Sequence, residues 1–235
     1  MFIVPAHKQN SQITKGRGKG GLATIWDKNL TKYVSKINCE NFRMQATKFD
    51  FPSGVFLVIN TYFPCDPRTI NFDDTELLTL LTSIQNTAQS SGCRNIWLAG
   101  DLNAHFQRST RFTNLVRDFI ADMGLYILWE NDDQLDSIQN VDFTFMFEAN
   151  GTTSFSTIDH FACSRGVLPI IQEAGTVHGG DNPSNHSAIY AKLKVGELDL
   201  QLESITAPKK PLVTLSCRGQ YGAACYVQRP WISWG

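Results

Sequence analysis

The chain has 235 residues, of which 42% are apolar and 18% charged, and 21 Lys+Arg against 22 Asp+Glu leave a net charge of −1. This excludes a disordered polyelectrolyte and supports one large domain with its own hydrophobic core. It also excludes a whole-molecule field that would gather DNA, RNA or anionic lipid, so any nucleic-acid contact has to come from a local patch.

The opening MFIVPAHKQN lacks the basic start and long apolar core of a secretion signal, and no stretch is apolar enough to span a bilayer. An intracellular protein, not secreted and with no membrane partner, is expected. Six cysteines (Cys39, Cys65, Cys93, Cys163, Cys217, Cys225) show no CxxC spacing and read as free thiols of a reducing compartment. Gly16-Arg-Gly-Lys-Gly-Gly21 formally fits GxGxxG, yet it follows a polar stretch and leads into a strand, the reverse of a dinucleotide site. It reads as a turn with two solvated cations, Arg17 and Lys19.

Leu22 to Trp26, Val55 to Asn60 and Asn95 to Ala99 are short apolar runs bounded by Gly, Pro or Asp, the pattern of buried strands. Asp74 is placed to cap a helix whose Leu77, Leu80, Leu81, Ile84 and Ala88 recur every three or four residues, with Gly92 beyond its end. Phe112, Leu115, Val116, Phe119, Ile120 and Met123 predict a second helix stopped by Gly124. Ile189, Ala191, Leu193 and Val195 alternate with polar residues, the mark of a half-exposed strand. Strands interspersed with helices predict a layered α/β or α+β domain over residues 1–196. Residues 197–235 show no sustained period and are expected to be an irregular appendage outside the core.

The chemistry concentrates where predicted strands end. In Ile96-Trp-Leu-Ala-Gly-Asp-Leu-Asn-Ala-His105 a buried strand runs into Gly100 and presents Asp101 and Asn103, two apart and so on the same side if extended. Together they could hold a water and a phosphate oxygen, though Gly-Asp and Asn are also common turn formers. Asp159 in STIDH and His186 in SNHS could pair as carboxylate and imidazole, the acid raising the basicity of the ring. His160 alternatively packs inside. Tyr62 in INTYFP could donate to an anionic oxygen or merely cap the core edge.

Taken in order, INTYFP, GDLNAH, STIDHFACS and SNHSAI resemble the last four motifs of the endonuclease/exonuclease/phosphatase superfamily, over roughly Lys15 to Val195. The closest resemblance is to the endonuclease domain of non-LTR (LINE-type) retrotransposons. It implies a four-layered α/β sandwich, two packed, mainly antiparallel sheets flanked by helices, and phosphodiester or phosphomonoester hydrolysis with Mg²⁺ or Mn²⁺. It also implies DNA as substrate, a reverse transcriptase in a longer polyprotein as partner, and a nuclear location for action on genomic DNA. In that pattern Asp101 positions the attacking water, Asn103 and Tyr62 bind phosphate, His186 serves as acid/base or transition-state stabiliser, and Asp159 orients His186. Arg17 and Lys19 would then lie near substrate phosphates.

Two departures set expectations. The family's first strand, helix and second strand, which carry the principal Glu metal ligand, have no counterpart, so an N-terminally truncated domain is expected. The Ser-Asp-His of the family is here Ser184-Asn185-His186, and the Asn185 amide is a weaker ligand for a hard cation than a carboxylate. Loss of one such group typically costs about 10² to 10³ in rate. A DNA-nicking enzyme impaired as it stands is therefore expected. The alternatives are a noncatalytic remnant that binds nucleic acid and a phosphatase or phospholipase of the same superfamily.

Overall fold

The computed structural model describes residues 1–4, 21–67, 73–130, 138, 141–179, 182 and 184–195, with the backbone of 213–218 and 224–228. The strands are β1 (Phe2–Val4), β2 (Leu22–Ile25), β3 (Val34–Ile37), β4 (Met44–Phe51), β5 (Gly54–Tyr62), β6 (Asn95–Asp101), β7 (Leu125–Ile127), β8 (Phe145–Ala149), β9 (Thr152–Ser156), β10 (Asp159–Ser164), β11 (Ile171–Val177), β12 (Ala188–Leu193), β13 (Val213–Arg218) and β14 (Ala224–Gln228). One six-stranded sheet has the order β1-β2-β14-β13-β12-β11, and a second has the order β3-β4-β5-β6-β10-β7. All pairings within them are antiparallel except β5 with β6 and β14 with β2. A separate hairpin pairs β8 with β9.

Alternation along the strands builds two cores. Val58, Trp97, Phe161 and Cys163 of the second sheet meet Ala174, Ile189, Ala191 and Leu193 of the first, filling the space between the sheets. Their neighbours Leu57, Ile59, Leu98 and Ala162 point the other way, under α1 (Thr75–Ser91) and α2 (Arg111–Asp122). Leu77, Leu80, Leu81, Ile84 and Ala88 form the buried stripe of α1, and Phe112, Val116 and Ile120 that of α2. Among the described residues both α-helices cover the second sheet, and no helix is long and apolar enough to cross a membrane.

Three expectations change in detail. Asp74 sits at the N-cap of α1 but its side chain makes no capping bond; Asp73 Oδ1 accepts from the Thr75 N–H at 3.0 Å, and Asp74 is drawn instead to Arg111. A cation in reach outcompetes a neutral amide for a carboxylate. The buried strands run past their apolar stretches, β5 to Tyr62 and β6 to Asp101, because ladder pairing continues where the side chains turn polar. Residues 197–235 are not wholly irregular, since their backbone supplies β13 and β14 between β12 and β2. Hydrogen-bonded neighbours on both sides compensate for the missing periodicity.

At Gly100, in the middle of the β5–β6–β10 ladder, φ is +139° and a Cβ would lie 1.9 Å from the Thr61 carbonyl oxygen. Gly100→Ala is expected to cost about 3 kcal/mol or more, read as a fall in the urea midpoint at unchanged m-value, because clash and backbone strain add.

Candidate active site

Strand register lines up the polar residues. Tyr62 on β5 pairs with Asp101 on β6, and Asp101 pairs with Asp159 on β10. Counting by twos from Val58, Trp97, Ala99, Phe161 and Cys163 shows that all three lie on the face turned toward the other sheet, one step past the apolar core. His186, just before β12, comes from that other sheet, and its Nδ1 lies 2.9 Å from Asp159 Oδ2. Ligand atoms of Asp101, Asp159 and His186 all lie within 4.8 Å of one another. Both acids are 7% exposed.

Asn103 holds a left-handed backbone (φ 51°), which Asn tolerates better than most residues. Its N–H donates to Asp101 Oδ1 at 2.9 Å, and its side-chain amide donates to the Phe63 carbonyl at 2.9 Å. One amide N–H of the side chain is thus spent on tying the loop to the end of β5, leaving a second available by the chemistry of the group. Tyr62 is half-buried, with the Arg43 guanidinium 5.3 Å from its ring centroid and bonded to its backbone carbonyl at 3.2 Å.

The electrostatics follow from the crowding. Burial, then the negative charge of Asp159, push the Asp101 carboxyl up to about 8, against the opposing pull of His186, the Asn103 N–H and Arg43. For His186, burial alone would lower the pKa, but the hydrogen bond and charge of Asp159, with the charge of Asp101, hold it above the ordinary imidazole value. Tyr62 is pushed up to about 12 by burial first, then by Cys65 and Asp101, so it remains a hydrogen-bond donor at neutral pH. Two carboxylates that repel one another beside an imidazole are a donor set that a divalent cation fits, because its charge removes the repulsion.

Of the other residues singled out in the sequence, Asn185 is exposed beside His186, and its backbone carbonyl accepts from the Met146 N–H at 2.8 Å. His160 is 2% exposed and faces away from His186, toward Phe106 on the helix side of the sheet. Arg17 and Lys19 lie outside the described residues.

Sequence reasoning missed three residues that the fold recruits. Thr144, fully buried, accepts from both the Ile158 and Asp159 N–H groups at 2.9 Å through Oγ1, and its carbonyl accepts from the Ser187 N–H at 2.7 Å. It thereby joins the strands that carry Asp159 and His186, and a threonine in DFTF gives no local sign of this. Arg43 is 4% exposed and bridges Tyr62 to Glu76, its Nε 2.7 Å from the carboxylate. Phe145 at the root of the β8–β9 hairpin packs on the His186 ring at 4.8 Å.

No family model matches the chain, and no curated protein matches it. Solved structures do. The endonuclease domain of TRAS1, a telomere-specific non-LTR retrotransposon, is similar at 17% identity over 66% of this chain and 67% of that one, with a TM-score of 0.50. The 3′-5′ exonuclease NExo from Neisseria meningitidis is 16% identical over 64% of each chain (TM-score 0.47), and an AP endonuclease from Archaeoglobus fulgidus is 15% identical over 68% and 70% (TM-score 0.47). The chain spans about two thirds of the length of each. The likeness is one of fold: the chain folds like the TRAS1 endonuclease domain.

Proposed function

We propose that the chain is a divalent-metal-dependent phosphodiester hydrolase that nicks DNA, of the non-LTR retrotransposon type. The convergence of Asp101 and Asp159 from one sheet with His186 from the other, at an edge that also bears Tyr62 and Asn103, carries the reading. In this assignment Asp101 positions the attacking water and takes its proton. The water oxygen bonds to phosphorus as the bond to the leaving oxygen breaks, and that oxygen is protonated from solvent. In its protonated form His186, held by Asp159, donates from Nε2 to the developing negative charge, while Asn103 and Tyr62 donate to phosphate oxygens. Asp101 and Asp159 would hold Mg²⁺ or Mn²⁺ through their carboxylate oxygens, and the ion would supply neutralisation of the phosphate charge. Genomic DNA as target, a nuclear site of action and a reverse transcriptase as partner belong to the same proposal.

Supercoiled-plasmid nicking with Mg²⁺ or Mn²⁺ tests it. Slow nicking by the native chain is expected, and Asn185→Asp is expected to accelerate it about tenfold or more by restoring an acidic donor. DNA binding without nicking in both proteins, at either metal, would instead favour the noncatalytic binding remnant.

A further inference from the structure

We propose that His105 and His160 are positioning residues that latch the loop bearing Asn103 onto the turn bearing Asp159. The two segments come from different parts of the chain and already share one backbone bond, Leu102 N–H to the Ile158 carbonyl at 2.9 Å. His105 adds a second tie, its Nδ1 accepting from the Thr157 N–H at 3.0 Å. His160 adds a third, with Nε2 2.8 Å from the Ala104 carbonyl and 3.1 Å from the Thr157 carbonyl. Carbonyls only accept, so the His160 proton sits on Nε2. His105 Nδ1 also lies 3.3 Å from the Thr157 carbonyl, so both backbone groups of Thr157 face this one ring nitrogen.

His160 is an unusual choice for a purely packing role. It is 2% exposed, lies edge-on to Phe106 at 4.6 Å, and its Nδ1 has no hydrogen-bond partner among the described residues. A phenylalanine would fill the same volume without stranding a lone pair, but it could not donate to Ala104. The position of Asn103 relative to Asp159 therefore rests on side-chain bonds from both sides of the gap. A displacement of about 1 Å at such a site costs on the order of 10²-fold in rate.

The catalytic consequence rests on the hydrolase reading above; the latch itself does not. His105→Ala and His160→Phe are each expected to lower kcat for plasmid nicking about 10- to 100-fold, with KM for DNA within about threefold. His105→Asn, whose amide oxygen can stand in for Nδ1, and His160→Gln, whose amide can stand in for Nε2–H, are expected to recover most of the loss. Unchanged kcat in His105→Ala and His160→Phe, or no recovery in the conservative pair, would overturn the latch. Amide hydrogen exchange decides it even if the native chain cleaves nothing, an outcome that would defeat only the hydrolase reading. Exchange at Asn103 and Thr157 should quicken about tenfold or more in His105→Ala and return toward the native rate in His105→Asn. Identical exchange in all three proteins would refute the latch.

Discussion

Replacing His186 with alanine is expected to reduce plasmid nicking about 10³-fold or more while DNA binding changes little. The imidazole is the only member of the cluster that crosses from the other sheet, and its Nδ1 bond to Asp159 is its fixed point. Alanine removes the donor to the phosphate and also leaves a 7% exposed carboxylate without that partner, beside a second acid. Two effects are therefore mixed in alanine, and asparagine separates them. Its amide can donate to Asp159 in place of Nδ1, so His186→Asn should recover thermal stability but not rate. The pH profile gives an independent sign. Because the folded imidazole has a raised pKa, the rate limb that depends on its charged form persists above the ordinary imidazole range and falls as pH rises through the folded value. Asp159→Asn, which takes away the main raising influence, should move that limb to lower pH. A limb that stays in place in Asp159→Asn would remove His186 from its assigned role.

The second large effect runs in opposite directions for activity and stability. Asp101→Asn is expected to abolish nicking and to stabilise the fold at pH 8 by about 2 kcal/mol or more. Folding raises the pKa of this acid to about 8 from an ordinary carboxyl value, so between about pH 4 and 8 the folded state binds more protons than the unfolded one. Stability therefore falls as pH rises across that window, and the full penalty is present above it. Asparagine carries no charge to desolvate or to repel Asp159, yet its side-chain oxygen can still accept from the Asn103 N–H. Urea melts of the two proteins should converge near pH 4 and separate toward pH 8, with the native chain regaining stability there on addition of Mn²⁺ and the variant gaining less. Parallel pH curves would show that Asp101 is not strained in the fold.

Much of this site was legible in the sequence because its parts sit at the ends of apolar strands. Val58 to Tyr62 and Ile96 to Asp101 announce buried strands by composition, and a polar residue that follows such a run with unbroken alternation must emerge at the sheet edge. The pattern of INTYFP, GDLNAH, STIDH and SNH was enough to pair Asp159 with His186 in advance, and the 2.9 Å bond agrees. The helices were equally plain, since their stripes at three and four residues survive intact in α1 and α2.

What depends on contact between distant segments was not legible. Thr144, Arg43 and the bond of the Asn103 side-chain amide have meaning only once β5, β6 and β10 are side by side, because each satisfies a backbone group far away in the chain. The place of β13 and β14 between β2 and β12 is of the same kind: pairing is a relation between strands, and neither carries a period that could foretell it. The sequence alone determined which side chains emerge at strand ends and which faces are apolar, since alternation is local. Only the tertiary structure decided that Asp101, at the end of a strand in one sheet, lies within 4.8 Å of His186 from the other, because that distance is set by the packing of the two sheets.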